Sequence, residues 1–463
     1  MSLLLDFLES WHDKNGSVQS TDEILNWIEE RTKKLNVKIE KTDFSYDGFW
    51  HYDEADGFIR NDRNSFFQIA GYKSIINKIV VCEQPVLIQD EIGYLGILCK
   101  KINGVLNFLM QAKIEPGNVN HIQISPTIQA TKSNFTRKHG GKAPAYLGYF
   151  LNSNEHAVIV EDQVQSEQSS RFFKKRNRNI IIYLEDEIEV LPSHKWMTLG
   201  QIKELLKYDN LVNMDTRTVL SGIPFTEWTF EEGEYEKAQA LFSDSTLFTS
   251  LFDNHNTRLI HELFHAINNH KMFHETTGKL VPLKDLKSWS LGAQTIECDR
   301  PYDFKVVYCN IEIEGREVQK WEQPLFEANG LLMLGLFTRV EKGVREFLVK
   351  VRNEIGCFDV AEIGPTIQLE PSNPRNELDP IESLFLKKYD QKENLLKDVI
   401  LSEEGGRFYH EQNNNVIIEV TNDELKSLPD DYFWVDYYTL NRMIQFPNVL
   451  NIQLRNLLSL VDM

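Results

Sequence analysis

A chain of 463 residues, 41% hydrophobic and 26% charged, has ordinary globular composition and enough length for two or three domains with buried cores. Its net charge of −19 would repel nucleic acid and anionic membranes, so an anionic ligand would need a local basic pocket. Five cysteines (Cys82, Cys99, Cys298, Cys309, Cys357) form no CxxC and no even framework; this argues against a zinc ribbon or disulfide scaffold and suits a reducing cytoplasm.

The N-terminal MSLLLDFLESW has no basic start and carries Asp6 and Glu9 within its apolar stretch, so no signal peptide is expected. No apolar run reaches membrane-spanning length. Residues 1–49 are expected to form a helical arm, with TDEILNWIEERTKKL opening on Thr21 as N-cap and an early glutamate. Next comes a unit over 50–221, in which VNHIQISPTIQA and NIIIYL predict strands and TLGQIKELLKY a short helix. Residues 222–290 predict a helical linker, and 291–463 a second unit. Strands interleaved with helices point to an α+β fold with mixed sheets, not to a regular βαβ repeat.

Self-similarity organises this layout. FLMQAKIEPGNVNHIQISPTIQATKSN from Phe108 lies over FLVKVRNEIGCFDVAEIGPTIQLEPSN from Phe347 at an offset of 239, with 11 of 27 positions identical. Chance would give about two at average residue usage. SEQSSRFFKKRNRNIII from Ser166 matches SEEGGRFYHEQNNNVII from Ser402 at an offset of 236, and NLVNMDTRTVLS from Asn210 matches NVLNIQLRNLLS from Asn448 at 238. The order of blocks is the same in both copies.

Several catalytic signatures fail. His261-Glu262-Leu263-Phe264-His265 has the HExxH form, but it lies in the linker and specifies no third ligand, so a His-rich polar helix face is the better reading. HGGKA at His139–Ala143 lacks the phosphate-loop spacing, and GxGxxG is absent. Cofactor-free acid–base chemistry is therefore expected. The polar residues kept in both copies are either structural or ligand contacts, among them Glu115, Gln129 with its twin Gln368, Asn134, Asn210, and Asn213 with its twin Asn451. Arg171 and Arg217, with twins Arg407 and Arg455, could grip a diphosphate through paired hydrogen bonds. The segment from Thr136 to Phe150 differs between copies and carries Arg137, His139 and Tyr149, which favours the first copy as the source of acid–base groups.

At these blocks, above all QAKIEPGNVNHIQISPTIQATKSNFTRKHGG, SEQSSRFFKKRNRN and WEQPLFE, the chain resembles the NDP-hexose 2,3-dehydratases of deoxysugar biosynthesis. The resemblance implies a homodimer of chains with two tandem Nudix-like domains, each with a nucleotide-sugar pocket, although neither copy carries a Nudix box. It implies a lyase acting on dTDP-4-keto-6-deoxyglucose: loss of the C3 hydrogen as a proton, departure of the C2 hydroxyl, and a 3,4-diketo-2,6-dideoxy product for a downstream 3-ketoreductase. Glu115, His139 and Tyr149 become the candidates for proton transfer. Arg171 and Arg217 are candidates for the diphosphate, and Gln129, Asn134, Asn210 and Asn213 for base or sugar. A Nudix-type nucleotide-sugar hydrolase and a non-catalytic nucleotide-sugar binder are the alternatives.

Overall fold

A computed structural model describes residues 3–45, 47–131, 143–151, 157–253, 256–314, 318–373 and 377–463. The predicted strands form: VNHIQISPTIQA gives Ile122–Ser125 and Ile128–Ala130, and NIIIYL completes Arg176–Leu184. The helix from Thr21 runs to Lys33, but its cap is Ser20, one residue earlier than expected. The Ser20 side chain accepts the Glu23 N–H at 3.2 Å, and Glu23 accepts the Ser20 N–H at 2.7 Å. Segment 222–290 supplies the helices Glu234–Leu241 and Thr257–Met272, then the strand Thr277–Val281.

Each copy builds two sheets with the same plan. In the first copy a mixed sheet places Gly93–Ile102 parallel to Arg176–Leu184 and antiparallel to Val105–Ile114, with Gly96 beside Ile180. Leu332–Glu341, Gln412–Glu419 and Val344–Asn353 repeat this arrangement in the second copy, with Gly335 beside Val416. The other sheets are antiparallel at their centres, Gln68–Ile76 with Ile79–Ile88 and Phe304–Ile313 with Lys320–Ala328.

Two strands cross between these sheets. Val37–Lys41, near the N-terminus, pairs antiparallel with Phe304–Ile313 of the second copy. Thr277–Val281 pairs with Gln68–Ile76 of the first copy. The largest apolar core is also shared, joining Phe108 and Val219 of the first copy to Phe347 and Leu454 of the second. Two facing helices run through it, Met214–Ser221 and Ile452–Leu458, capped by Asn213 and Asn451.

The copies are locked by reciprocal turn-into-loop contacts. Gly117 donates its N–H to Gly405 at 2.7 Å and accepts from His410 at 2.8 Å. In the mirrored contact Gly356 donates to Ser169 at 2.8 Å and accepts from Lys174 at 2.9 Å. A Cβ at Gly117 would run into the Phe408 carbonyl, and one at Gly356 into that of Phe172, so close backbone approach requires glycine at both turns. Overpacking of this kind costs about 1–3 kcal/mol. Gly117→Ala is therefore expected to lower Tm by several degrees in calorimetry. Gly148→Ala, where an added Cβ meets nothing within 4 Å, should leave Tm within about a degree.

Candidate active site

The locked turns and loops wall a cavity of about 1260 Å³ at the junction of the copies. Lys113, Glu115 and Gln129 come from the first copy's mixed sheet, Glu167, Lys175 and Asn177 from its loop and following strand, and Asp215 from the start of helix Met214–Ser221. The second copy contributes Trp321, Glu404 and Arg407. Trp50 and Phe66 add aromatic surface.

One hydrogen-bonded chain organises the floor. Asn213, while capping its helix, donates to the Gln129 side-chain oxygen at 3.2 Å and to Ser125 at 3.0 Å. Gln129 in turn donates to Glu115 at 3.0 Å, and Lys113 reaches the same Glu115 oxygen at 2.9 Å. Glu115 is thus buried and held at one oxygen by a cation and an amide. On the opposite wall Arg407 pairs with Glu404 at 2.9 Å, donates to Gln89 at 2.7 Å and lies 4.6 Å over the Phe66 ring.

Burial sets the protonation of this cluster. It pushes Glu404 up to about 7 against the pull of Arg407, with Glu115 and Glu167 adding repulsion. It raises Asp215 well above the carboxylate range, reinforced by Glu167, Glu404 and Glu115 and opposed by Lys113. Lys175 is driven down to about 8, first by burial and then by Arg407.

The expected site residues separate into groups. Glu115, Gln129 and Arg407 line the cavity, with Asn213 bonded directly behind Gln129. Gln368 and Asn451 rebuild the same chain in the second copy, where Gln368 donates to Glu354 at 2.6 Å and Asn451 to Gln368 at 3.3 Å. Arg171 occupies the position matching Arg407, but it pairs with Glu370 at 3.2 Å and lies 4.4 Å over Phe304.

Arg217 and Arg455, each 1% exposed, lie within the interface and do not line the cavity. Arg217 donates to the Ser402 carbonyl at 2.6 Å, Arg455 to that of Ser166, so each clamps the other copy's loop. Asn210 sits at a turn with φ +56° and bonds the Ile400 carbonyl through its N–H at 2.9 Å. Tyr149, on the short helix Leu147–Leu151, packs against the neighbouring apolar cluster and does not line the cavity. Asn134, Arg137 and His139 lie outside the described residues.

Sequence reasoning missed Lys113, Lys175, Asp215 and Glu404. At the matching positions the other copy has Arg352, Glu411, Gln453 and Gln168, so difference between twins was the signal.

The same burial makes stability depend on pH. Glu403, Glu404 and Glu411 are held near 7 and Glu362 near 8, chiefly by desolvation, whereas unfolded glutamates ionise near 4.3. Between those values the folded chain retains protons that the unfolded chain has lost, so stability falls as pH rises. Tm is expected to drop from about pH 5.5 to about pH 7, measured at constant ionic strength.

The model of the NDP-hexose 2,3-dehydratase family matches residues 21–223 and again 260–461. The chain is 36% identical over 451 residues to the dTDP-4-dehydro-6-deoxy-alpha-D-glucopyranose 2,3-dehydratase of Saccharopolyspora spinosa, covering 96% of this chain and 92% of that protein. The proteins of the same name from Amycolatopsis orientalis and Streptomyces violaceoruber are each 34% identical, covering 97% and 94% of this chain and 91% and 95% of their own lengths. Among solved structures, the C. elegans Ap4A hydrolase aligns at 15% identity with a TM-score of 0.19 over 26% of this chain and 89% of that one, too low to bear on the fold. Among the described residues no helix is long and apolar enough to cross a membrane. Two matches in tandem and near full-length relatives place this chain in the NDP-hexose 2,3-dehydratase family.

Proposed function

We propose that the chain dehydrates dTDP-4-keto-6-deoxyglucose across C2 and C3 in the cavity between its copies. The observation that carries this reading is Glu115, fixed by Lys113 and Gln129 inside a cavity that Arg407 enters from the other side. The space exceeds the usual range of about 300–1000 Å³ for small-ligand pockets, as a nucleotide joined to a sugar requires.

The C4 ketone makes the C3 hydrogen acidic. Glu115 takes that proton, and the ammonium of Lys113 stabilises the enolate oxygen. Expulsion of the C2 hydroxyl leaves a C2–C3 enol, which tautomerises to the 3,4-diketo-2,6-dideoxy sugar. The electrons stay within the sugar, so this step calls for no redox partner. Arg407 meets the diphosphate and Trp50, Phe66 and Trp321 stack on the pyrimidine, a reading supported by their all lining the cavity. Arg217 and Arg455 act as positioning residues through the loops they clamp. The active unit is a cytoplasmic homodimer that passes its diketone to a 3-ketoreductase.

With a ketoreductase present to trap the product, the purified protein is expected to yield, by mass spectrometry, a sugar nucleotide lacking one water. The yield should be the same with or without EDTA. Release of dTMP instead would overturn the reading. Glu115→Gln should lower kcat at least about 100-fold while dTDP still raises Tm. Arg407→Met should act mainly on KM, raising it about tenfold or more through loss of a charged contact.

A further inference from the structure

The reading above names a base but leaves open what protonates the departing hydroxide. Hydroxide is a poor leaving group, so a positioned acid at C2 would lower the barrier of the second step. Asp215 stands out among the cavity-lining groups. It is 1% exposed, and neither carboxyl oxygen has a hydrogen-bond partner among the described residues. A buried, unbonded polar group carries a desolvation cost that folding alone does not explain.

Its surroundings favour a neutral acid. The charged groups that act on it are Glu167 and Glu115 from the first copy's loop and sheet, Glu404 from the second copy, and Lys113 as the opposing cation. Arg217, two residues along its own helix, feels its charge but spends a guanidinium nitrogen on the Ser402 carbonyl. Burial and these acidic neighbours, against Lys113 and a guanidinium engaged at the Ser402 carbonyl, work against a negative charge on Asp215. The second copy has Gln453 here, which cannot supply a proton.

We propose that Asp215 is the acid of this site, giving its proton to the C2 hydroxyl as that group leaves. The proposal rests on the reading of the cavity as a dehydratase site with Glu115 as base. In the first step the C3–H bond breaks, the proton passes to Glu115, and its electron pair forms the C3–C4 double bond of the enolate. In the second the C4 carbonyl re-forms, that pair shifts to C2–C3, and the C2–O bond breaks. The departing oxygen takes the Asp215 proton and leaves as water. Protonation of C2 from Glu115 and return of the C3 hydroxyl proton to Asp215 give the diketone and restore both groups. At the matching place in the second copy Gln453 leaves no acid to repeat this step.

The test separates the two steps in deuterium oxide. Asp215→Asn is expected to lower elimination by about 100-fold or more, while the recovered substrate gains one deuterium at C3. Glu115→Gln should lose both exchange and elimination. In the unaltered protein, raising the pH should slow elimination more than exchange, a measurement that does not depend on the variant folding. Elimination by Asp215→Asn at near the unaltered rate would overturn the proposal. So would loss of exchange in that variant while dTDP still raises its Tm, or a parallel decline of both steps with pH. If the unaltered protein neither exchanges nor eliminates, it is the dehydratase reading itself that fails.

Discussion

The approach of two backbones at Gly117 and Gly356 is the constraint on which the rest of this molecule depends. Each turn enters a loop of the other copy so closely that a single methyl group would collide with a carbonyl. Those loops also carry Glu167, Glu404 and Arg407, so one pair of contacts both joins the copies and sets the walls of the cavity. Arg217 and Arg455 strengthen the same junction from beneath, each bonding a carbonyl in the loop of the opposite copy. Burying two guanidinium groups is costly, and desolvation drives both down to about 10. Removing either would strip its partner loop of a buried donor, and the cavity wall would loosen with it.

Electrostatics follow from that junction. Closing the two copies together removes water from several carboxylates that the sequence spaces far apart, from Glu115 to Glu411. Deprived of solvent and set against one another, some hold their protons to near neutral pH. Glu115 differs from these in its contacts, because Lys113 and Gln129 reach one of its oxygens. Within one cavity a carboxyl group reached by a cation thus lies near one, Asp215, whose oxygens have no hydrogen-bond partner among the described residues.

Much of this architecture was legible in the sequence, and what was not has physical reasons. The repeat blocks located both mixed sheets, and the identity of Glu115, Gln129 and Asn213 with their twins marked a real hydrogen-bonded chain. Identity between twins had two causes, however, and sequence could not separate them. Arg217 and Arg455 match because they clamp the junction symmetrically, which looks the same in sequence as a shared ligand contact. Asp215 was overlooked for the opposite reason: it lies inside the matched block NLVNMDTRTVLS at a position where the twin has changed to Gln453. The crossing of Val37–Lys41 and Thr277–Val281 was invisible because those short strands pair over more than 200 residues, and local pattern carries no information about such partners.

The exchanged strands bear on why the two copies share one chain. A protein made of a single copy could build this interlocked arrangement only by pairing with an identical molecule, and rotational symmetry would then force the same side chain into the matching position of both halves. Joining the copies covalently removes that equivalence while keeping each half at a high effective concentration for the other. An aspartate can then stand on one side and a glutamine on the other, and one half is free to act as scaffold for its neighbour's chemistry.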